Sequence, residues 1–266
     1  MKRIFTAIIL IFICSLVYSG ERDSLIRKYN RDSIEHLRHS HPDITPDHGL
    51  IYVETLKHIE SGSDSIIWEP FNTATAAIFI LIAIYWYVRI ARAKKKSGFL
   101  IYCTTVLLAG GIGGTLYHGL RAVPLFMFID GGAIGVLMFS FIYWLIFRLM
   151  NSVWKAVLLM LGGIVVTFAL MFVMISTGVF RGGPTYGYMT MGIVSCIPLF
   201  LYLRKTSFRG VKYILLGILT FAIALFSRYF DLKSILPMGS HFIWHLAGAV
   251  ATTLLFIYVW KEYEVD

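Results

Sequence analysis

The chain has 266 residues, of which 58% are hydrophobic and 15% charged, with a mean hydropathy of +0.73. The apolar excess falls in blocks of about 20 residues, the length of helix that crosses a bilayer core, which excludes an ordinary soluble domain. The net charge of +9 would point to an anionic partner in a soluble protein, but in a membrane protein basic residues are first of all topology signals.

The first nineteen residues, MKRIFTAIILIFICSLVYS, combine a basic start, a short apolar run and small or branched residues before Gly20. That is the pattern of a secretory signal peptide over 1–19, with Val17 and Ser19 at −3 and −1 of the cleavage site; an uncleaved anchor is the alternative. From Gly20 to Trp68 the chain is polar and carries five histidines, His36, His39, His41, His48 and His58. A signal peptide would export this segment. The spacing in LIRKYNRDSIEHLRH predicts a short amphipathic helix, and HLRHSH at 36–41 reads as an exposed polar face rather than a second metal site. The segment is placed to cover the outer mouth of any site below it.

Seven apolar segments follow, at roughly 71–90, 99–118, 125–147, 154–177, 186–203, 211–227 and 239–260. With short connecting loops they predict an all-α membrane protein, a seven-helix bundle over 69–260, ending in a tail at 261–266. With the amino terminus outside, the inner loops and tail hold twelve Lys and Arg, against Arg121, Arg181, Arg228 and Lys233 on the outer side. That bias predicts an inner carboxyl terminus, and the basic start leans toward a bacterial inner membrane. Cys14, Cys103 and Cys196 all lie in apolar runs, so no disulfide framework is expected. The run AGGIGG at 109–114 reads as close helix packing. No repeat, phosphate-binding loop or nucleic-acid motif is present, and nothing in the chain speaks to oligomeric state.

Polar residues in apolar spans are costly, so those that occur are informative. His118 ends the second span, Asp130 lies in the first turns of the third, His241 and His245 open the seventh, and Glu69 and Asn72 stand at the start of the first. In an alternating bundle these positions share one depth. His241 and His245, at i and i+4, project from one helix face, and His118 arrives from another helix. Three imidazoles and a water compose a tetrahedral zinc site with an open position. Asp130 has three roles open to it: a fourth ligand, an orienting partner of an imidazole, or a base. A salt bridge to Arg121 or Arg228 is disfavoured, because both sit where they can snorkel into water. Zinc lowers the pKa of water and polarises carbonyls. Sunk among apolar helices, such a site predicts hydrolysis of a lipid ester or amide.

The stretches EPFNTATAAIF, TLYHGLRAVPLFMFID and GSHFIWHLAG, in this order, resemble the alkaline ceramidase family of seven-helix membrane hydrolases. That family belongs to a superfamily with adiponectin and progestin receptors and GPI-remodelling lipid hydrolases. The resemblance implies that His118, His241 and His245 bind Zn2+ and that Asp130 assists the water that cleaves the amide between a fatty acid and a sphingoid base. Trp244, Tyr117 and aliphatic residues of the spans are expected to form the acyl-chain cavity. Two departures stand out. The family's serine one turn before the first histidine is Gly114 here, with Thr115 beside it as a candidate hydroxyl. The family's Ca2+ site is matched by Glu69, with Asn72 nearby, but Glu54, Glu60 and Asp64 do not reproduce its spacing; Glu69 and Asn72 capping the first helix is the other reading. The competing functions are a zinc lipid esterase or phospholipase, which shares the carbonyl chemistry, and a receptor with a structural metal.

Overall fold

The computed structural model describes residues 49–177, 184–233 and 236–265, so the signal peptide, the 25–39 helix and the 36–41 histidines fall outside the described residues. Among the described residues seven helical spans are long and apolar enough to cross a membrane, and they coincide with the seven apolar segments. The helices are α1 (Val53–Glu60), α2 (Pro70–Ala76), α3 (Ile78–Ala91), α4 (Gly98–Leu120), α5 (Pro124–Met150), α6 (Val153–Ser176), α7 (Pro184–Lys205), α8 (Val211–Tyr229) and α9 (His241–Val265). A 3-10 turn, Asp231–Lys233, follows α8. The first span differs from expectation in being interrupted at Ala77, which joins α2 to α3. The helix of the fifth span runs through Pro198.

Local chemistry sets the ends of the helices. Pro70 and Pro124 open α2 and α5 at the first turn, where a missing N–H costs nothing. Ser97 caps α4 by accepting from the Leu100 amide at 3.2 Å, and Arg121 and Asn151 close α4 and α5 in the left-handed conformation.

Packing draws on the small residues of AGGIGG. A Cβ at Gly111 would lie 2.9 Å from the Ile80 amide nitrogen, and one at Gly113 2.5 Å from Ile129. These glycines therefore let α4 lie against α3 and α5. An aromatic core that includes Trp86, Trp144, Tyr202 and Tyr258 ties the other end of the bundle together. α9 packs along α8 and reaches α2 and α3. The end of α4 and the starts of α2, α5 and α9 thus share one end of the bundle, called the histidine end below.

Candidate metal centre

His118, His241 and His245 are almost completely buried, at 0%, 1% and 2% exposure, and one ligand atom of each lies within 4.8 Å of the others. Each ring keeps one buried nitrogen without a hydrogen-bond partner among the described residues: Nε2 of His118, Nδ1 of His241 and Nε2 of His245. Buried polar atoms are rarely left so, because each forfeits a hydrogen bond, and three such imidazoles side by side make a donor set that could hold a metal ion. Nitrogen donors of this kind suit zinc. Bonds of about 2.0–2.1 Å to one ion require the nitrogens roughly 3.3 Å apart, so the rings would draw in somewhat around a metal.

The other ring nitrogens show how the rings are aimed. His118 Nδ1 is 2.5 Å from Glu69 Oε2. A carboxylate only accepts, so Nδ1 carries the proton and Nε2 presents its lone pair. His245 Nδ1 lies 3.0 Å from Thr75 Oγ1, whose own proton goes to the Phe71 carbonyl at 2.7 Å. The threonine therefore accepts from His245 and leaves Nε2 facing the cluster. His241 is held by stacking: the Tyr52 ring covers it at 3.8 Å between centroids. Thr75 and Tyr52 went unrecognised in the sequence. Thr75 falls in EPFNTATAAIF, but nothing there marks it as a partner of a histidine 170 residues away.

Glu69 is the hub. The amides of Trp68 and Glu69 bond the Gly119 and His118 carbonyls at 3.0 and 3.2 Å, which docks this segment against the end of α4. Its carboxylate then meets His118, Arg121 at 3.3 Å, the Thr55 hydroxyl at 2.5 Å and the Asn72 amide at 3.0 Å. Burial opposes ionisation of Glu69, yet Arg121 and His118 outweigh it and hold the carboxyl below its ordinary range. Two expectations change here. Glu69 occupies the N-cap position but makes no side-chain cap; Glu54 caps α2 instead, accepting from the Phe71 and Asn72 amides at 2.9 and 2.8 Å. Arg121 does not snorkel: it is buried to 1% exposure and donates to the Tyr117 hydroxyl at 2.7 Å and the Leu50 carbonyl at 2.9 Å. With a guanidinium already neutralising Glu69, calcium at Glu69 and Asn72 is not carried forward.

Residues 49–60 lie across the cluster as a strap. Its anchor is Asp231, whose Oδ2 accepts from the Val53 amide at 2.9 Å while Oδ1 accepts from the Ser240 and His241 amides at 2.6 and 2.7 Å. One carboxylate thus caps α9 and pins the strap, and burial pushes it above the ordinary carboxylate range despite the three amides. Gly239 has φ +78°, and a Cβ there would run into Asp231, so this position of GSHFIWHLAG requires glycine.

Asp130 lies against Gly114: a Cβ at Gly114 would sit 2.6 Å from Asp130 Oδ1. The missing side chain therefore makes room for the carboxylate. Asp130 interacts electrostatically with His118 and Arg228 and borders, with His245, an apolar cavity of about 480 Å³. The Thr115 hydroxyl donates to the Gly111 carbonyl at 2.7 Å, one turn back along its own helix. Trp244 lines this cavity; Tyr117 does not, its hydroxyl being taken by Arg121. The cavity continues to Leu100 and Val259 at the far end of the bundle. Compared with models of protein families, with curated proteins and with solved structures, the chain matches none.

Proposed function

We propose that this protein is a zinc-dependent membrane hydrolase that cleaves the amide of an N-acyl lipid, ceramide or a relative, to a fatty acid and an amine. The observation that carries the reading is the convergence of three partnerless imidazole nitrogens beside Asp130 at the end of an apolar cavity. His118, His241 and His245 would hold the metal. Bound there, zinc would polarise the acyl carbonyl and make a neighbouring water more acidic.

The chain's own residues do the rest. From His245 to Val259, α9 advances about 21 Å at 1.5 Å per residue, longer than the roughly 15 Å that one leaflet contributes to a 30 Å bilayer core. A long acyl chain therefore lies wholly in the cavity, with its carbonyl between His245 and Asp130. As water adds to the carbonyl carbon, Asp130 takes its proton. The same carboxyl then returns a proton to the amide nitrogen as the C–N bond breaks, so a carboxylic acid and an amine leave. Glu69 and Thr75 keep His118 and His245 in the tautomer that faces the cluster, and the Tyr52 strap excludes bulk water. Exporting the histidine end agrees with the basic residues gathered in the loops at the other end, which points to an outer site and an inner carboxyl terminus.

The test is metal analysis by mass spectrometry on detergent-purified wild type and His241→Ala, followed by hydrolysis of N-acyl lipids. About one zinc per chain in the wild type, lost together with hydrolysis in the variant, is the expected result. No metal in either protein after zinc is supplied overturns the reading.

A further inference from the structure

Arg228, in the last turn of α8, is a cation at the histidine end with no counter-ion in contact. Among the described residues it makes no hydrogen bond or ion pair, and its buried Nε has no partner. Its guanidinium carbon lies instead 5.0 Å from the Trp244 ring centre and 5.5 Å from that of Tyr188. Cation–π contacts of this kind offset only part of what withdrawing a charge from water costs. Arg121, the fully buried arginine of this end, has Glu69 as its counter-ion, whereas Arg228 is half-buried.

The two rings that hold Arg228 are tied to the reacting groups. Trp244 directly precedes His245 and stacks on Tyr188 at 5.7 Å between centroids. The Tyr188 hydroxyl donates at 3.3 Å to the carbonyl of Gly131, next to Asp130. Arg228 thus sits over the Trp244 and Tyr188 rings at the histidine end, whereas the acyl cavity leads the other way, toward Leu100 and Val259. A substrate whose acyl chain fills the cavity leaves its amine side at the histidine end, beside this arginine.

We infer that Arg228, cradled by Trp244 and Tyr188, binds an anionic group on the amine side of the substrate, a carboxylate or phosphate a few atoms from the scissile amide. The inference rests on the amidase reading above and narrows it to acidic N-acyl lipids. A planar guanidinium with free N–H groups takes such oxygens in pairs.

The test compares kcat/KM for N-palmitoyl glycine, N-palmitoyl phosphoethanolamine and neutral N-palmitoyl ethanolamine in wild type, Arg228→Gln and Arg228→Lys. The wild type is expected to favour one of the acidic lipids, and which one separates carboxylate from phosphate. The preference should be roughly tenfold to hundredfold, the worth of a charge-assisted hydrogen bond. Arg228→Gln should bring the acidic-to-neutral ratio toward unity, and Arg228→Lys, which keeps the charge, should retain part of it. A wild type that does not discriminate, or an Arg228→Gln variant that slows all three lipids equally with a lower Tm, assigns the arginine to packing and overturns the inference. Thermal shift of zinc-free protein by the same lipids runs alongside. Should none be hydrolysed, the amidase reading falls, while stabilisation by an acidic lipid in wild type but not in Arg228→Gln still sustains the anion site; equal shifts remove it as well.

Discussion

At each end of the bundle a buried carboxylate holds an arginine, but the two networks are finished differently. At the end away from the histidines, Glu262 accepts from Arg209 at 2.9 and 2.7 Å and from the Tyr202 hydroxyl at 2.7 Å. Arg209 is 43% exposed, so this network runs out into water. At the histidine end, Glu69 and Arg121 are both fully enclosed, and the network passes through His118 to imidazole nitrogens without a hydrogen-bond partner among the described residues. The first arrangement gives its carboxylate three side-chain hydrogen bonds and reads as structural. The second uses an enclosed ion pair to orient a histidine whose other nitrogen faces two further imidazoles, a donor set that could hold a metal ion.

Removing each carboxylate tests the contrast. Glu69→Ala strands Arg121 and His118 without their anion, and breaking a buried pair this way costs about 3–5 kcal/mol. We expect a large fall in Tm together with loss of zinc. Glu262→Ala should cost less, about 1.5–3 kcal/mol, because Arg209 can turn to solvent, and it should leave zinc content at the wild-type level. Zinc lost from Glu262→Ala with the fold intact would erase the distinction between the ends. Thr75→Val is the mildest and the sharpest: the fold should hold to within roughly 0.5 kcal/mol while zinc affinity falls about 10–100-fold, as when a ligand's orienting partner is removed. Competition with a chelator reads this directly, and unchanged affinity would show that His245 needs no help from Thr75.

The apolar blocks made the seven spans legible, because bilayer thickness sets their length whatever their packing. The three histidines were legible for a related reason: alternating spans put their positions at one depth, and the i, i+4 pair on one face. What surrounds them was not. Glu69 could be placed at the start of a helix but not given its partners, since its cap role falls to Glu54 and its charge to Arg121, a residue that looked free to reach water. Asp231 anchors a strap whose amide lies 178 residues away, a pairing no local pattern announces. Gly114 looked like the loss of a hydroxyl; in three dimensions it is the space that Asp130 fills.

The strap also imposes an order of assembly. Val53 and Tyr52 leave the ribosome long before Asp231 and His241, the groups that hold them, so this early segment can dock only after the seventh span has been inserted. Contacts of such long sequence separation form late. The histidines therefore come together in an uncovered vestibule, and Tyr52 closes over His241 afterwards. In maturation the beginning of the described chain acts last, as a seal set once the vessel is complete.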